Sequence, residues 1–201
     1  MKSGNGVTMK GWPAYVSELS ECLLTVSVQR AGREIGVDLA FDEWRDLALD
    51  IRGRRATIFL IGNGASASMA SHITADLAKN GRLRTEVFTD LSLITAISND
   101  MGYEHVFSEP LSRRARRGDM LVAISSSGGS PNILAAVKVA SAMGLEVVTL
   151  SAMKESNPLR AAGTLNFYVQ TGTYGGAETC HAAILHFWMD LIVAAGMEGT
   201  K

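Results

Sequence analysis

Cysteine is scarce in this chain. Two in 201 residues, Cys22 and Cys180, form neither a C-x-x-C pair nor a disulfide framework. That excludes a stapled secreted scaffold and points to a reducing compartment. Proline is as sparse, with four residues, and the glycines follow no repeat, so collagen-like and low-complexity chains are excluded too. Neither sign of charge is in excess. Nineteen Lys and Arg against twenty Asp and Glu leave a net charge of −1, without the basic surplus by which a general nucleic-acid binder attracts phosphates. The opening MKSGNGVTMKGW lacks an apolar h-region, so no secretory signal is expected. What is present is 47% hydrophobic residues, ample for one core. At about 150 residues per domain the length leaves no room for two full domains. A cytoplasmic α/β protein is the expectation.

The pattern changes near residue 55. Before it, Tyr15, Val16, Leu19, Leu23 and Val26 recur at helical spacing, as do Trp44, Leu47, Ala48 and Ile51, with a short break at 32–38 between them. Residues 1–55 therefore read as a helical hairpin that packs on the main body or on another subunit. From 56 to 201 short apolar runs alternate with helical stretches. TIFLIGN (57–63), TEVFTD (85–90), MLVAIS (120–125), LEVVTL (145–150) and LNFYVQT (165–171) read as five buried strands. Helices are expected near 66–80, 91–98, 106–117, 131–143 and 177–195. This alternation predicts a doubly wound parallel sheet of five strands, covered on both faces. The last helix is apolar nearly all round, so it is expected in the chain's own core or between subunits, with an interface around Ile184, Phe187 and Trp188. His181, His186 and Asp190 interrupt it, and no membrane span is expected.

Two loops fall at the C-terminal ends of predicted strands, where such folds bind ligands. In GNGASAS (62–68) the glycines permit close backbone approach, and Ser66 adds a hydroxyl near a helix start. The same residues fit G-x-G-x-x-A through Gly62, Gly64 and Ala67, which with Asp90 leaves a nicotinamide dehydrogenase open, and a plain strand–helix turn explains them as well. The second loop runs Ser125, Ser126, Ser127, Gly128, Gly129, Ser130, Pro131, Asn132 into an apolar helix. Ser130 suits the N-cap and Pro131 the first helical position. Hydroxyls and free N–H groups gathered at a helix N-terminus form an anion site, and a phosphate monoester fits it. The lysine of a nucleoside-triphosphate loop is lacking.

His72 and Asp76, four apart, share a helix face. Glu178 and His186, eight apart, lie roughly on one side of the last helix. Singly these read equally as a surface pair and a satisfied core histidine. Together they offer two imidazoles and two carboxylates, enough for a mixed metal site with an open position. Arg113, Arg114, Arg116 and Arg117 read as a solvated charge run near a helix C-terminus.

On GNGASAS, SHITADL, ITAISND, AISSSGGS and ETCHAAILH, in this order and spacing, the chain resembles the SIS-domain (sugar isomerase) family and, within it, the phosphoheptose isomerases. The resemblance implies a first substrate loop at Asn63, Gly64, Ala65 and Ser66. It implies sugar hydroxyls held by Asn99 and Asp100, and a phosphate cradle of Ser125, Ser126, Ser127 and Ser130. It further implies a Zn²⁺ site at His72, Asp76, Glu178 and His186, with Asp76 and His186 as acid and base and Glu178 also touching substrate. The implied reaction is aldose–ketose isomerisation of a sugar phosphate through an enediol(ate), sedoheptulose 7-phosphate giving D-glycero-D-manno-heptose 7-phosphate. The implied assembly is a homotetramer with shared sites. The alternative is a non-catalytic SIS module that binds a sugar phosphate or a protein. Three positions depart from the family pattern: Asp76 replaces Glu, Glu178 replaces Gln, and Gly175 stands where the family carries Asp.

Overall fold

Side chains along a strand point alternately to opposite faces of its sheet, so a strand apolar at every position needs cover on both sides. The computed structural model, which describes residues 11–198, supplies that cover. The first ten residues of the leading segment, with most of MKSGNGVTMKGW, lie outside the described residues. In chain order the elements are α1 (Trp12–Leu24), β1 (Ser27–Arg30), β2 (Arg33–Ile35), α2 (Val37–Arg54), β3 (Thr57–Gly62), α3 (Ala65–Lys79) and β4 (Arg84–Val87). There follow α4 (Leu91–Asp100), a 3₁₀ turn (Tyr103–His105), α5 (Ser108–Arg114), β5 (Met120–Ser125), α6 (Pro131–Met143), β6 (Glu146–Ala152), β7 (Leu165–Val169) and α7 (Tyr174–Glu198). Ile58 and Leu60 of β3 pack with α2, α3 and α7. Their neighbours Phe59 and Ile61 pack on the other face with residues of α4, α5 and α6.

The sheet has seven strands rather than five, in the order β2-β1-β7-β6-β5-β3-β4. Strands β3 to β7 pair with one another in parallel. The additional pair, β1 and β2, is an antiparallel hairpin lying where a bare break between helices is expected, and β1 runs antiparallel to β7. Ala31 and Gly32, at φ 47° and 77°, make its two-residue turn, as a hairpin of right-handed twist requires. The leading segment is thus helix–hairpin–helix. Arg160 ties the hairpin down: its buried guanidinium donates to Ser27 Oγ at 2.7 Å and lies 4.4 Å from the Tyr168 ring centroid.

Helix α2 buries Ala40, Phe41, Trp44, Ala48 and Ile51, a stripe of helical period. Trp44 stacks on Trp188 of α7, centroids 4.1 Å apart and planes 11° from parallel. By length and composition α7 is the one helix among the described residues able to cross a membrane. One side of it is nonetheless buried in the chain's own core through Ala177, Cys180, Ile184, Leu185, Trp188 and Ile192. Of the interface expected around Ile184, Phe187 and Trp188, only Phe187 is exposed. The other two are 3% and 0% accessible and belong to the core. The apolar sequence of α7 reflects burial against α2, α3 and the sheet, and its outer side carries His186 and Asp190.

Candidate active site

Within the parallel part of the sheet, the chain leaves β3 for β4 at one edge and then crosses back to β5 on the other side of β3. This reversal parts the loops that follow β3 and β5 and opens a crevice at the strands' C-terminal ends. Both glycine- and serine-bearing loops lie there. After β3, Asn63 is half-buried, Gly64 and Ala65 are exposed and Ser66 is buried at the start of α3. Gly64 has φ 57° and ψ −124°, a conformation essentially confined to glycine.

After β5, Ser125 and Ser126 are buried while Ser127 and Ser130 are half-buried. Ser130 occupies the N-cap position of α6 and Pro131 the first turn, yet the Ser130 side chain makes no capping bond. Its Oγ lies 3.2 Å from Ser125 Oγ instead. A hydroxyl at a helix N-terminus that is not spent on the backbone remains able to hold an anion. The loop is held from behind. Gly128, at φ 63°, donates its N–H to the Ser125 carbonyl and accepts from Leu159 N, each at 3.0 Å. A Cβ there would fall 1.9 Å from Asn157 Oδ1, so the loop and the buried Asn157 fit only with glycine. Asn157 in turn donates to Lys154 O at 2.8 Å and Ser151 Oγ at 3.2 Å.

The two loops are joined to each other. Asn63 Nδ2 donates to Asn132 Oδ1 at 2.9 Å and Asn132 Nδ2 donates to Asn63 Oδ1 at 2.8 Å, while Tyr103 Oη donates to Asn63 Oδ1 at 3.2 Å. Tyr103 follows Asn99 and Asp100, which are exposed at the end of α4 with Asn99 Nδ2 donating to Asp100 Oδ1 at 2.8 Å. A cavity of 200 Å³ opens beside Asn63 and Tyr103, walled by Phe88, Ile94 and Phe107. Asn132, Tyr103 and Asn157 carry none of the roles read from the sequence. Asn132 sits inside the serine loop and was visible there; the other two have no local signal.

The acid–base candidates form a second group. His72 Nε2 and Asp76 Oδ2 are 3.4 Å apart, and the His72 and His186 rings have centroids 5.5 Å apart across α3 and α7. His72 lies seven residues into α3, about 10 Å along its axis from Ala65, and Asp76 is some 6 Å further. Two imidazoles and a carboxylate are suitable donors for Zn²⁺, but among the described residues no three His, Cys, Asp or Glu converge on one point. Glu178, half-buried near the start of α7, is about 12 Å along the helix axis from His186. One chain therefore does not present the four-ligand set. Gly175 has room for a side chain, since a Cβ there would meet only Tyr15 Oη at 3.9 Å.

The buried titratable groups are poor nucleophiles. Burial pushes the Cys180 thiol up to about 11, and Cys22 is raised chiefly by burial and next by Glu18. His181 is fully buried, its Nε2 3.2 Å from Ser151 O and its Nδ1 unpartnered. Burial lowers its pKa to about 4 against the opposing pull of that carbonyl, so the ring is neutral.

A parallel sheet with glycine- and serine-rich loops at its switch point defines a doubly wound α/β domain with a ligand crevice, and the SIS domain family matches residues 45–152. The phosphoheptose isomerase of Campylobacter concisus is 37% identical over 137 residues, 64% of this chain and 71% of that protein. That of Helicobacter hepaticus is 30% identical over 182 residues, 87% and 91% of the two chains. The solved structure of the Neisseria gonorrhoeae phosphoheptose isomerase superimposes with a TM-score of 0.78 at 29% identity, covering 90% of this chain and 96% of that one. The chain belongs to the SIS-domain family, among the phosphoheptose isomerases.

Proposed function

We propose that this protein is a cytoplasmic aldose–ketose isomerase of phosphorylated sugars, with sedoheptulose 7-phosphate and D-glycero-D-manno-heptose 7-phosphate as its pair. The observation that carries the reading is the serine loop at the switch point, with its Ser130 hydroxyl not spent on capping the helix and Asn63 held opposite. The phosphate binds at Ser125, Ser126, Ser127 and Ser130. Asn63, Gly64, Ala65 and Ser66, with Asn99 and Asp100, receive the sugar hydroxyls. Phosphate binding energy, realised far from the reacting carbons, then orients the chain for proton transfer.

Isomerisation takes a proton from the carbon beside the carbonyl, leaves an enediol(ate), and returns a proton to the neighbouring carbon. Asp76 and His186 are the two proton-transfer groups, one acting as base and the other as acid. His72, 3.4 Å from Asp76, orients that carboxylate. Because α3 carries these groups well away from the serine loop of the same chain, the proposal includes a homotetramer with shared sites, in which one subunit's α3–α7 surface faces the loops of another. Exposed Trp12 and Leu24 on α1 and Phe187 on α7 support such contacts. Zn²⁺ belongs to the proposal through the same assembly, where a second subunit and Glu178 would complete the donor set that one chain leaves open. The proton transfers assigned to Asp76 and His186 stand without it.

The deciding experiment incubates the protein with sedoheptulose 7-phosphate in D₂O, with and without zinc, and follows label at the carbons flanking the carbonyl. Deuterium there, with aldose formed, supports the isomerase. Tight binding without exchange would support the non-catalytic module instead.

A further inference from the structure

Strands β3 and β5 are neighbours about 4.8 Å apart, but the loops that leave them run into helices on opposite faces of the sheet. Nothing in the strand pairing fixes how far apart those loops stand. The two carboxamides do. Asn63 and Asn132 exchange two hydrogen bonds, at 2.9 and 2.8 Å, and each side chain is further constrained. Asn132 is 2% accessible, and its Oδ1 also accepts from Ile133 N at 3.0 Å in the first turn of α6. Asn63 Oδ1 also accepts from Tyr103 Oη, which brings in the turn that follows Asn99 and Asp100. A carboxamide has two N–H donors; one of those on Asn63 is committed to Asn132, so the other is left to meet a ligand.

We propose that Asn132 and Tyr103 are positioning residues that fix Asn63 at a set distance from the phosphate cradle, and so determine the length of sugar phosphate the site accepts. The proposal rests on the reading of the crevice as a sugar-phosphate site. A phosphate anchored at Ser125–Ser130 and a hydroxyl met by Asn63 are the two ends of a ruler whose length the amide pair sets. Releasing the pair lets the β3 loop drift, which weakens ligands of matched length and leaves the cradle unchanged.

The experiment measures affinity by calorimetry for inorganic phosphate, ribulose 5-phosphate, fructose 6-phosphate and sedoheptulose 7-phosphate. The proteins are the parent, Asn132→Ala and Tyr103→Phe. Phosphate affinity should stay within about twofold in both variants. The preference among chain lengths should shrink by about tenfold in Asn132→Ala and by a few-fold in Tyr103→Phe, the losses expected for a pair of hydrogen bonds and for one. Tyr103 is 54% accessible and loses one hydroxyl, so that variant folds even where Asn132→Ala does not. Unchanged chain-length preference, or an equal weakening of phosphate and all three sugars, overturns the proposal. A parent that binds sedoheptulose 7-phosphate in preference to the shorter sugars but isomerises none of them overturns the proposed enzymatic function alone. A parent that binds none of the sugars overturns both.

Discussion

Substituting Gly128 by alanine tests whether the serine loop is locked from behind. The new Cβ would lie 1.9 Å from Asn157 Oδ1 and 2.7 Å from Asn157 Cβ, both far inside contact distance. Asn157 is pinned by its bonds to Lys154 O and Ser151 Oγ, and its Oδ1 accepts from Arg160 N at 2.9 Å. It can yield only by surrendering them. Alanine at φ 63° costs about 1 kcal/mol in backbone strain. Three hydrogen bonds lost, two of them buried, at about 1 kcal/mol each bring the total near 4 kcal/mol. For a domain of this size that is a fall in Tm of roughly 10 °C, readable by calorimetry together with a loss of phosphate affinity. The companion variant Asn157→Gly removes the obstructing side chain. In its background Gly128→Ala should cost only about 1 kcal/mol of strain, a coupling of about 3 kcal/mol in the double-mutant cycle. A Gly128→Ala protein within 2 °C (roughly 1 kcal/mol) of the parent, or additive single and double variants, would refute the lock.

Replacing Ser127 and Ser130 together by alanine should raise KM for a sugar phosphate by about tenfold or more while Tm is retained; unchanged affinity removes the loop from the site. For the two acidic departures, Asp76→Glu alone should lower turnover by crowding, and adding Glu178→Gln should recover it. Strict additivity in activity and in bound zinc would show that the two positions are independent. His181 bears on acid stability. Its folded pKa lies near 4 against 6.5 for the free group, so the unfolded chain binds more protons between those values. Stability should be full above pH 6.5 and fall by up to about 1.4 kcal/mol per pH unit toward pH 4. His181→Leu should flatten that slope in urea titrations at pH 5 and 7, and an identical slope in the variant would assign the effect elsewhere.

The strands of the parallel sheet were legible because both faces are buried: TIFLIGN and MLVAIS are continuously apolar apart from polar end residues, with no polar alternation to misplace them. Strand β4 ends at Val87 rather than 90 because Asp90 serves as the N-cap of α4, its carboxylate accepting from Leu93 N. The hairpin was not legible. SVQRAGREI carries only Val28 and Ile35 as large apolar residues, and its turn needs Ala31 at positive φ, where alanine is disfavoured. The serine loop announced its place through hydroxyls, glycines and the Ser-Pro helix start. What holds it did not, because Asn157 and Leu159 meet Gly128 from about 30 residues further along the chain and only the fold brings them there. His72 and Asp76 were readable as one helix face, since that spacing is local. The distance between their surface and the serine loop depends on where α3 points, and no spacing along the chain encodes it.

The hairpin also decides what the sheet shows to other molecules. Without it, β7 would end the sheet with Leu165, Phe167 and Val169 beside a row of unpaired N–H and C=O groups, a template for further chains. With it, the sheet stops at β2, three residues of which Arg33 and Glu34 are charged and exposed. The opposite margin, β4, is four residues long with Arg84 and Glu86 on it. Short, charged margins are poor partners for edge-to-edge growth. A chain that began at α2 would keep its crevice and the helices α3 and α7 but would carry a naked apolar margin, and it would tend to polymerise as it folds.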